Sequence, residues 1–198
     1  MENTIAIVLA AGKGTRMKSE KSKQVHKILG KEIVLRAVEN AKKAGIEDII
    51  AVVGYKKEQV QEVLKDSVKY VIQEEMLGTG HAVMQAKEFL EGKKGKVVVL
   101  NGDVPILRPE TIEKLIEKSN ANKEYATLLS AIYENPCGYG RIIRDEGGNV
   151  EGIVEEKDAN EQQKEIKEIN AGVYCFDIPE LLKALDEIDN DNASGEYY

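Results

Sequence analysis

The chain is poor in the residues that build metal centres, disulfide scaffolds and acid–base dyads. Only two cysteines occur, Cys137 and Cys175. Their spacing forms neither a metal motif nor a disulfide framework, so both read as reduced thiols. Histidine is equally scarce: His26 and His81 are the only two, and no nucleophile–base pair stands out. No apolar run approaches the ~20 residues a membrane span needs. No signal-peptide pattern precedes the first strand, and cytoplasm is the expected compartment. No Pro- or Ser-rich linker divides the chain, and no tandem repeat is visible. A basic stripe is missing too, in a protein of net charge −7, which argues against a nucleic-acid partner. The remainder fits one globular domain. Hydrophobic residues make up 42% and charged residues 32% of 198 positions, with room for one sizeable core or two lobes around a cleft.

Against that background the first turn is informative. A strand-like run over 5–10 breaks into Ala11-Gly12-Lys13-Gly14-Thr15-Arg16-Met17, and Lys23 follows. Small residues and two glycines let the backbone approach a ligand closely. Consecutive N–H groups in such a turn make an anion-binding nest. Lys13, Arg16 and Lys23 supply the countercharge for a polyphosphate. A buried strand ending in a Gly-rich basic loop is where open α/β sheets hold nucleotides. The loop is not a P-loop, which would read G-x-x-x-x-G-K-[ST]. Nor is it a dinucleotide fingerprint, because Met17 stands where the third glycine belongs. The plainer alternative is a tight turn with a solvated basic tip.

The rest of the chain alternates between strand and helix. Helical spacing over 34–44 ends at Gly45, and a β-branched strand covers 48–53. A surface helix over 57–64, a strand over 69–73 and a helix over 80–90 follow. The near-continuous apolar strand over 96–100 suits a parallel sheet covered on both faces. It ends at Asn101-Gly102-Asp103, and Pro109 starts the next helix. Such a rhythm predicts a Rossmann-like, doubly wound, mostly parallel sheet. The second part changes character: strands over 125–132, 138–144, 149–155 and 169–176, a polar stretch over 156–167, and a helix over 179–188. It predicts an antiparallel lobe, with approximately 1–110 as the first lobe and 111–198 as the second.

Six segments in this order carry a resemblance. Leu9-Ala10-Ala11-Gly12-Lys13-Gly14-Thr15-Arg16-Met17 with Lys23 resembles the signature of sugar-1-phosphate nucleotidyltransferases. Gln73-Glu74-Glu75-Met76-Leu77-Gly78-Thr79-Gly80-His81-Ala82 resembles a base-recognition segment of that family, and Asn101-Gly102-Asp103-Val104-Pro105 its metal-binding strand end. Gly138-Tyr139-Gly140-Arg141-Ile142, Ile153-Val154-Glu155-Glu156-Lys157-Asp158-Ala159 and Glu168-Ile169-Asn170-Ala171-Gly172 resemble its sugar-binding segments. Together they are similar to the uridylyltransferase domain of bacterial bifunctional N-acetylglucosamine-1-phosphate uridylyltransferases. The resemblance implies transfer of uridylyl from UTP to N-acetylglucosamine-1-phosphate. The products would be pyrophosphate and UDP-N-acetylglucosamine, a precursor of peptidoglycan and other cell-envelope polysaccharides. It also implies that the family's domain runs on past Tyr198 to an asparagine metal ligand. Beyond that the family carries a β-helix acetyltransferase domain that trimerises. No hexapeptide repeat is visible here.

The same resemblance distributes roles. Arg16 and Lys23 would meet transition-state charge, and Asp103 would hold Mg²⁺. Leu9, Ala10, Ala11, Gly12, Lys23, Gln73, Gly78, Thr79, Asn101, Gly102 and Asp103 would contact nucleotide and phosphates. Gly140, Glu155 and Asn170 would contact the N-acetylglucosamine moiety. The chemistry is coherent. A sugar phosphate is already anionic, so positioning and charge neutralisation suffice without a protein base. Gln73 offers both donor and acceptor to uracil. Magnesium takes one or two carboxylates plus phosphate and water. Plainer roles stand beside these. Asp103 suits a turn before Pro105, Thr79 suits a helix cap, His81 a structural place near the base, and Glu155 one acid in an acidic run. Lys18, Lys21 and Lys27 read as solvated. Two departures from the family pattern are Ser22, where proline is usual before the lysine, and Ala171, where threonine is frequent. A nucleotide-sugar binding unit with little turnover, or an enzyme for another base or sugar phosphate, are the competing readings.

Overall fold

The computed structural model describes residues 3–198, with the side chain of Arg16 outside that description. Strand β1 (Thr4–Ala10) opens the chain, and a hairpin of two short strands, β2 (Lys27–Ile28) and β3 (Lys31–Glu32), leads into α1 (Ile33–Lys43). Then come β4 (Asp48–Val53), α2 (Lys57–Leu64), β5 (Lys69–Ile72), α3 (Thr79–Met84), α4 (Lys87–Leu90), β6 (Lys96–Asn101) and α5 (Pro109–Asn122). Four of these strands lie parallel in the order β5-β4-β1-β6. The chain winds outward from β1 on one side and returns to β6 on the other, so a switch point falls between β1 and β6.

Alternation along β1 shows why the sheet needs helices on both faces. Ala6, Val8 and Ala10 pack with Val38 and Ala41 of α1, Val60 and Leu64 of α2, and Ile112 and Ile116 of α5. Ile5 and Ile7 face the opposite layer, with Ala82 and Val83 of α3 and Leu90 of α4. Side chains of successive strand residues point to opposite faces, and each fully buried Ile or Leu contributes about 1.5–3 kcal/mol. The expected helix over 80–90 is instead two short ones. The backbone breaks at Gln85–Ala86, and Ala86 packs, fully buried, in the second layer.

The second part adds β7 (Ala126–Ile132), β8 (Arg141–Arg144), β9 (Val150–Val154), α6 (Glu161–Lys164), β10 (Glu168–Asp177) and α7 (Ile178–Glu187). These strands continue the same sheet, in the order β6-β10-β8-β9 with β7 also paired to β10. Strand β10 is the joint. One edge runs along β7, while the other pairs β6 through Tyr174–Asp177 and β8 through Ile169. The register shifts between Asn170 and Tyr174, and Gly172 sits there at φ +68°. A left-handed φ is cheap for glycine alone. The polar stretch over 156–167 is partly ordered: Asn160 and Gln163 form a capping box that starts α6.

Candidate functional site

Site residues gather at the carboxyl ends of β1 and β6. After Ala10 the chain turns through Gly14, at φ +59°, into a single 3-10 turn over Thr15–Met17. The Leu9 carbonyl accepts from Gly102 N at 2.8 Å, and the Ala11 carbonyl accepts from Tyr55 N at 3.0 Å. A Cβ on Gly14 would come 2.6 Å from Lys23 Cβ, so the glycine is what lets Lys23 lie against the loop. Lys23 Nζ in turn ion-pairs with Asp103 Oδ2, with both side chains about a third exposed. The phosphate-type loop and the candidate metal carboxylate are therefore in direct contact. Nothing in the sequence spacing reveals this pairing across eighty residues.

Gln73 follows β5 and is 3% exposed. Its backbone N–H donates to Val53 at 2.8 Å, continuing the sheet. Its side-chain Nε2 donates to the Gly78 carbonyl at 3.1 Å and lies 3.1 Å from His81 Nδ1. The amide's donors are thus engaged within the protein. Among the described residues its Oε1 has no partner. His81 has a structural part here, holding Gln73. Gly78, at φ +110°, is itself the N-cap of α3 and leaves Thr79 as the first helical residue, so the expectation that Thr79 caps the helix is corrected. Thr79 is exposed.

On the other side, the kink in β10 is tied to β6. Asn101 Nδ2 donates to the Gly172 carbonyl at 3.2 Å. Asn170 Oδ1 accepts from Gly172 N at 3.0 Å, and Asn170 Nδ2 donates to the Tyr174 hydroxyl at 2.6 Å. Asn170 N donates to the Gly140 carbonyl at 2.8 Å. A Cβ on Gly140 would come 2.7 Å from Glu155 Oε1, so glycine there makes room for the carboxylate. Burial pushes the Glu155 carboxyl up, helped by the nearby charge of Asp158 and opposed by Arg141. Glu156 goes the other way: the Gly138 N–H and the Arg141 guanidinium hold it below the usual carboxylate range. Arg141 is buried, and its Nη2 donates to Glu156 at 2.7 Å, anchoring this loop.

Residues 190–198 complete the arrangement. Tyr197 N donates to the Leu77 carbonyl and Gly80 N to the Tyr197 carbonyl, each at 2.8 Å. Asp158 accepts from Ala193 N and from the Tyr198 hydroxyl, each at 2.8 Å. The contacts now close a circuit. They run from Leu9 through Gly102, Asn101, Gly172, Asn170, Gly140 and Glu155 to Asp158. From there they pass through Tyr198, Tyr197, Gly80, Gly78, Gln73 and Val53 to Tyr55 and Ala11. Every expected site residue with a described side chain lies on this circuit or is a direct neighbour of it, except Lys23, which reaches it through Asp103. The Arg16 side chain lies outside the described residues. Asp158, Tyr197 and Tyr198 were not singled out from the sequence, because their partners are distant in the chain; Tyr174 was not either, because its partner Asn170, four residues away, is reached only across the register shift in β10.

No group of three or more His, Cys, Asp or Glu side chains suited to a metal occurs among the described residues. Asp103 is a single carboxylate at the strand end. Against the preceding residue, Gly102, Gln24 Oε1 is buried without a hydrogen-bond partner, 3.1 Å from where a Cβ on Gly102 would lie. An all-oxygen set of one carboxylate and an amide carbonyl fits a hard cation such as magnesium, with phosphate and water completing the shell. Away from this site, a surface cavity of about 660 Å³ lies at the amino ends of β1 and β4, lined by Thr4, Gly45, Asp48 and Lys93. It contains none of the residues above. Among the described residues, no helix is long and apolar enough to cross a membrane.

Comparison with known proteins supplies the family and the fold. A family model described as nucleotidyl transferase matches residues 5–197. The chain is 54% identical over 198 residues to the bifunctional protein GlmU of Caldanaerobacter subterraneus, covering 100% of this chain and 43% of the relative. It is 54% identical over 194 residues to that of Clostridium novyi, covering 98% of this chain and 42% of the relative. The chain thus spans less than half the length of these curated relatives. Among solved structures, a putative glucose-1-phosphate thymidylyltransferase from Bacillus anthracis superposes with a TM-score of 0.80 at 22% identity, over 98% of this chain and 79% of that one. A UDP-glucose pyrophosphorylase bound to UDP-glucose superposes with a TM-score of 0.78 at 21% identity, over 98% and 82% of the two chains. At such identities the structures speak for the fold alone.

Proposed function

The chain belongs to the nucleotidyl transferase family, and from that premise we propose that it transfers uridylyl from UTP to N-acetylglucosamine-1-phosphate. A phosphate oxygen of the sugar phosphate attacks the α-phosphorus. The new O–P bond forms as the bond to the β-phosphate bridge breaks, and pyrophosphate leaves. No proton must be removed from the nucleophile, which matches a site without a poised base.

The observation that carries this reading is the contact of Lys23 with Asp103 at the switch point. A cation held on a carboxylate is a cation available to phosphate. When the triphosphate arrives, Lys23 exchanges Asp103 for a phosphate oxygen, and Asp103 would then be free to hold a divalent ion. Magnesium, when bound there, would shield the charge that the two substrates bring together. Gln24 Oε1, orphaned beside Gly102, would offer that ion or its water a second oxygen. Arg16 adds planar, bidentate charge from the same loop. Gln73 Oε1 is the acceptor for the uracil imide N–H, held in place by Gly78 and His81. Glu155 and Asn170 accept and donate to sugar hydroxyls, with Gly140 as the close-approach position.

The test is pyrophosphate release with UTP and N-acetylglucosamine-1-phosphate under saturating magnesium, against CTP, dTTP and glucose-1-phosphate in turn. A site that hydrogen-bonds its substrate rejects analogues by orders of magnitude, so the named pair should exceed each replacement by at least about tenfold. Preference for another base or sugar phosphate would overturn the assignment. Tight binding of UDP-N-acetylglucosamine without turnover would make the chain a binding unit instead.

A further inference from the structure

We propose that Asp158 is a positioning residue that clamps residues 190–198 and so couples the turn over 77–80 to the turn over 155–158. That the turn over 77–80 serves the base and the turn over 155–158 the sugar rests on the function proposed above. The coupling itself rests on contacts. Elsewhere the circuit around the site is closed by neighbouring strands or by the sheet edge. Between Glu155 and Gly78 the sheet makes no connection, and the 190–198 segment is what bridges it.

Both ends of that bridge are specific. On one side the Asp158 carboxylate uses both oxygens, Oδ1 for Ala193 N and Oδ2 for the Tyr198 hydroxyl, and Lys157 Nζ donates to Ser194 Oγ at 3.1 Å. On the other side Tyr197 exchanges two backbone hydrogen bonds with Leu77 and Gly80. A Cβ on Gly78 would come 2.9 Å from Tyr197 N, and one on Gly80 would come 3.0 Å from Tyr197 O. The two glycines are what allow the backbones to meet. The bridge is also stiff internally. Asn192 Oδ1 accepts from Ser194 N at 3.1 Å and Glu196 N at 3.3 Å, while Asn192 Nδ2 donates to the Glu196 carbonyl at 2.6 Å. A displacement at Asp158 is therefore carried to Gly78, whose carbonyl fixes the Gln73 amide. Charge-assisted bonds from a carboxylate are the stronger kind, and two from one side chain make Asp158 the main fastener.

Hydrogen exchange at the Gly80 and Tyr197 amides of the ligand-free protein tests the clamp. In Asp158→Ala both amides should exchange about three- to tenfold faster, the effect of losing one or two modest hydrogen bonds. The Tyr55 amide, bonded to Ala11 outside the bridge, should be unchanged. Asp158→Asn keeps an acceptor for Ala193 and a donor for the Tyr198 oxygen, and should restore most of the protection. Unchanged exchange at Gly80, or an equal rise at Tyr55, would overturn the proposal. UTP titration without sugar phosphate gives the functional arm. Asp158→Ala should weaken UTP by about threefold or more, with recovery in Asp158→Asn. Unaltered UTP affinity alongside weakened sugar-phosphate binding would make Asp158 a local residue and sink the coupling. If the unmodified protein binds no UTP, the functional reading falls, and the exchange comparison still decides the clamp.

Discussion

Single side chains acquire their meaning here from partners far away in sequence. Gln73 is nearly fully buried, with its donors engaged by Gly78 and His81, so only an acceptor is left for a ligand. Replacing it with Ala removes that acceptor and also takes one of two donors from the Gly78 carbonyl, leaving it Ala82 N alone. UTP affinity should fall by roughly 1–3 kcal/mol, the cost of a buried hydrogen bond left unmade. Equilibrium titration with UTP and CTP checks this, and unchanged preference between them would remove Gln73 from the site. Charge at the loop is expected to act later in the reaction. Arg16→Ala and Lys23→Ala should each lower kcat by about two to three orders of magnitude, with a smaller change in KM for the sugar phosphate. Steady-state kinetics separates the cases: a loss confined to KM would make both residues ground-state binders.

At the level of elements, β10 holds the two parts of the sheet in one piece, and its first residue carries an ion pair that reports on the joint. Glu168 accepts from Arg144 Nε at 2.8 Å and Nη2 at 2.7 Å, and from Ser130 Oγ at 2.6 Å, linking β10 to β8 and β7. The Arg144 and Ser130 hydrogen bonds hold its carboxyl at about 2, below the ordinary 4.5. A depressed folded-state value means that stability from this group is present above pH 4.5 and is lost as pH falls toward 2. Arg144 is 40% exposed, so solvent screening reduces the contribution to about 1 kcal/mol. Urea unfolding between pH 6 and pH 2 should therefore lose about that much more in the unmodified protein than in Glu168→Gln, where the group cannot titrate. Parallel curves for the two proteins would show that the pair adds nothing.

Over the whole molecule, a ligand that touches both ends of the contact circuit binds only the folded chain. UDP-N-acetylglucosamine at a hundred times its Kd should stabilise by about 2.7 kcal/mol. For a domain of this size that raises Tm by about 5–10 °C. Adding magnesium should raise it further in the unmodified protein and not in Asp103→Asn, where the carboxylate is gone. A thermal melt with and without the cation reads both effects. An equal magnesium increment in Asp103→Asn would place the ion elsewhere.

The sequence alone determined the layered α/β class, because local patterning controls it. Near-continuous apolar strands at 48–53 and 96–100 need cover on both faces, and intervening helical periods supply it. It also marked the Gly-rich turn after β1, since glycine and clustered cations are local signals, whereas Asn101-Gly102-Asp103, which alone reads as a turn before Pro105, was marked only by the resemblance of the six segments in order. The break between α3 and α4 escaped it, because Gln85 and Ala86 are both good helix formers and give no stop signal. Only the tertiary structure decided that Lys23 rests on Asp103, that His81 holds Gln73, that β10 serves both halves of one sheet, and that Asp158 fastens residues 190–198 to the turn at 77–80. Each of these is a contact between residues whose separation along the chain carries no periodic or compositional trace. The packing of the sheet brings them within hydrogen-bond reach, and short-range propensity has no term for that.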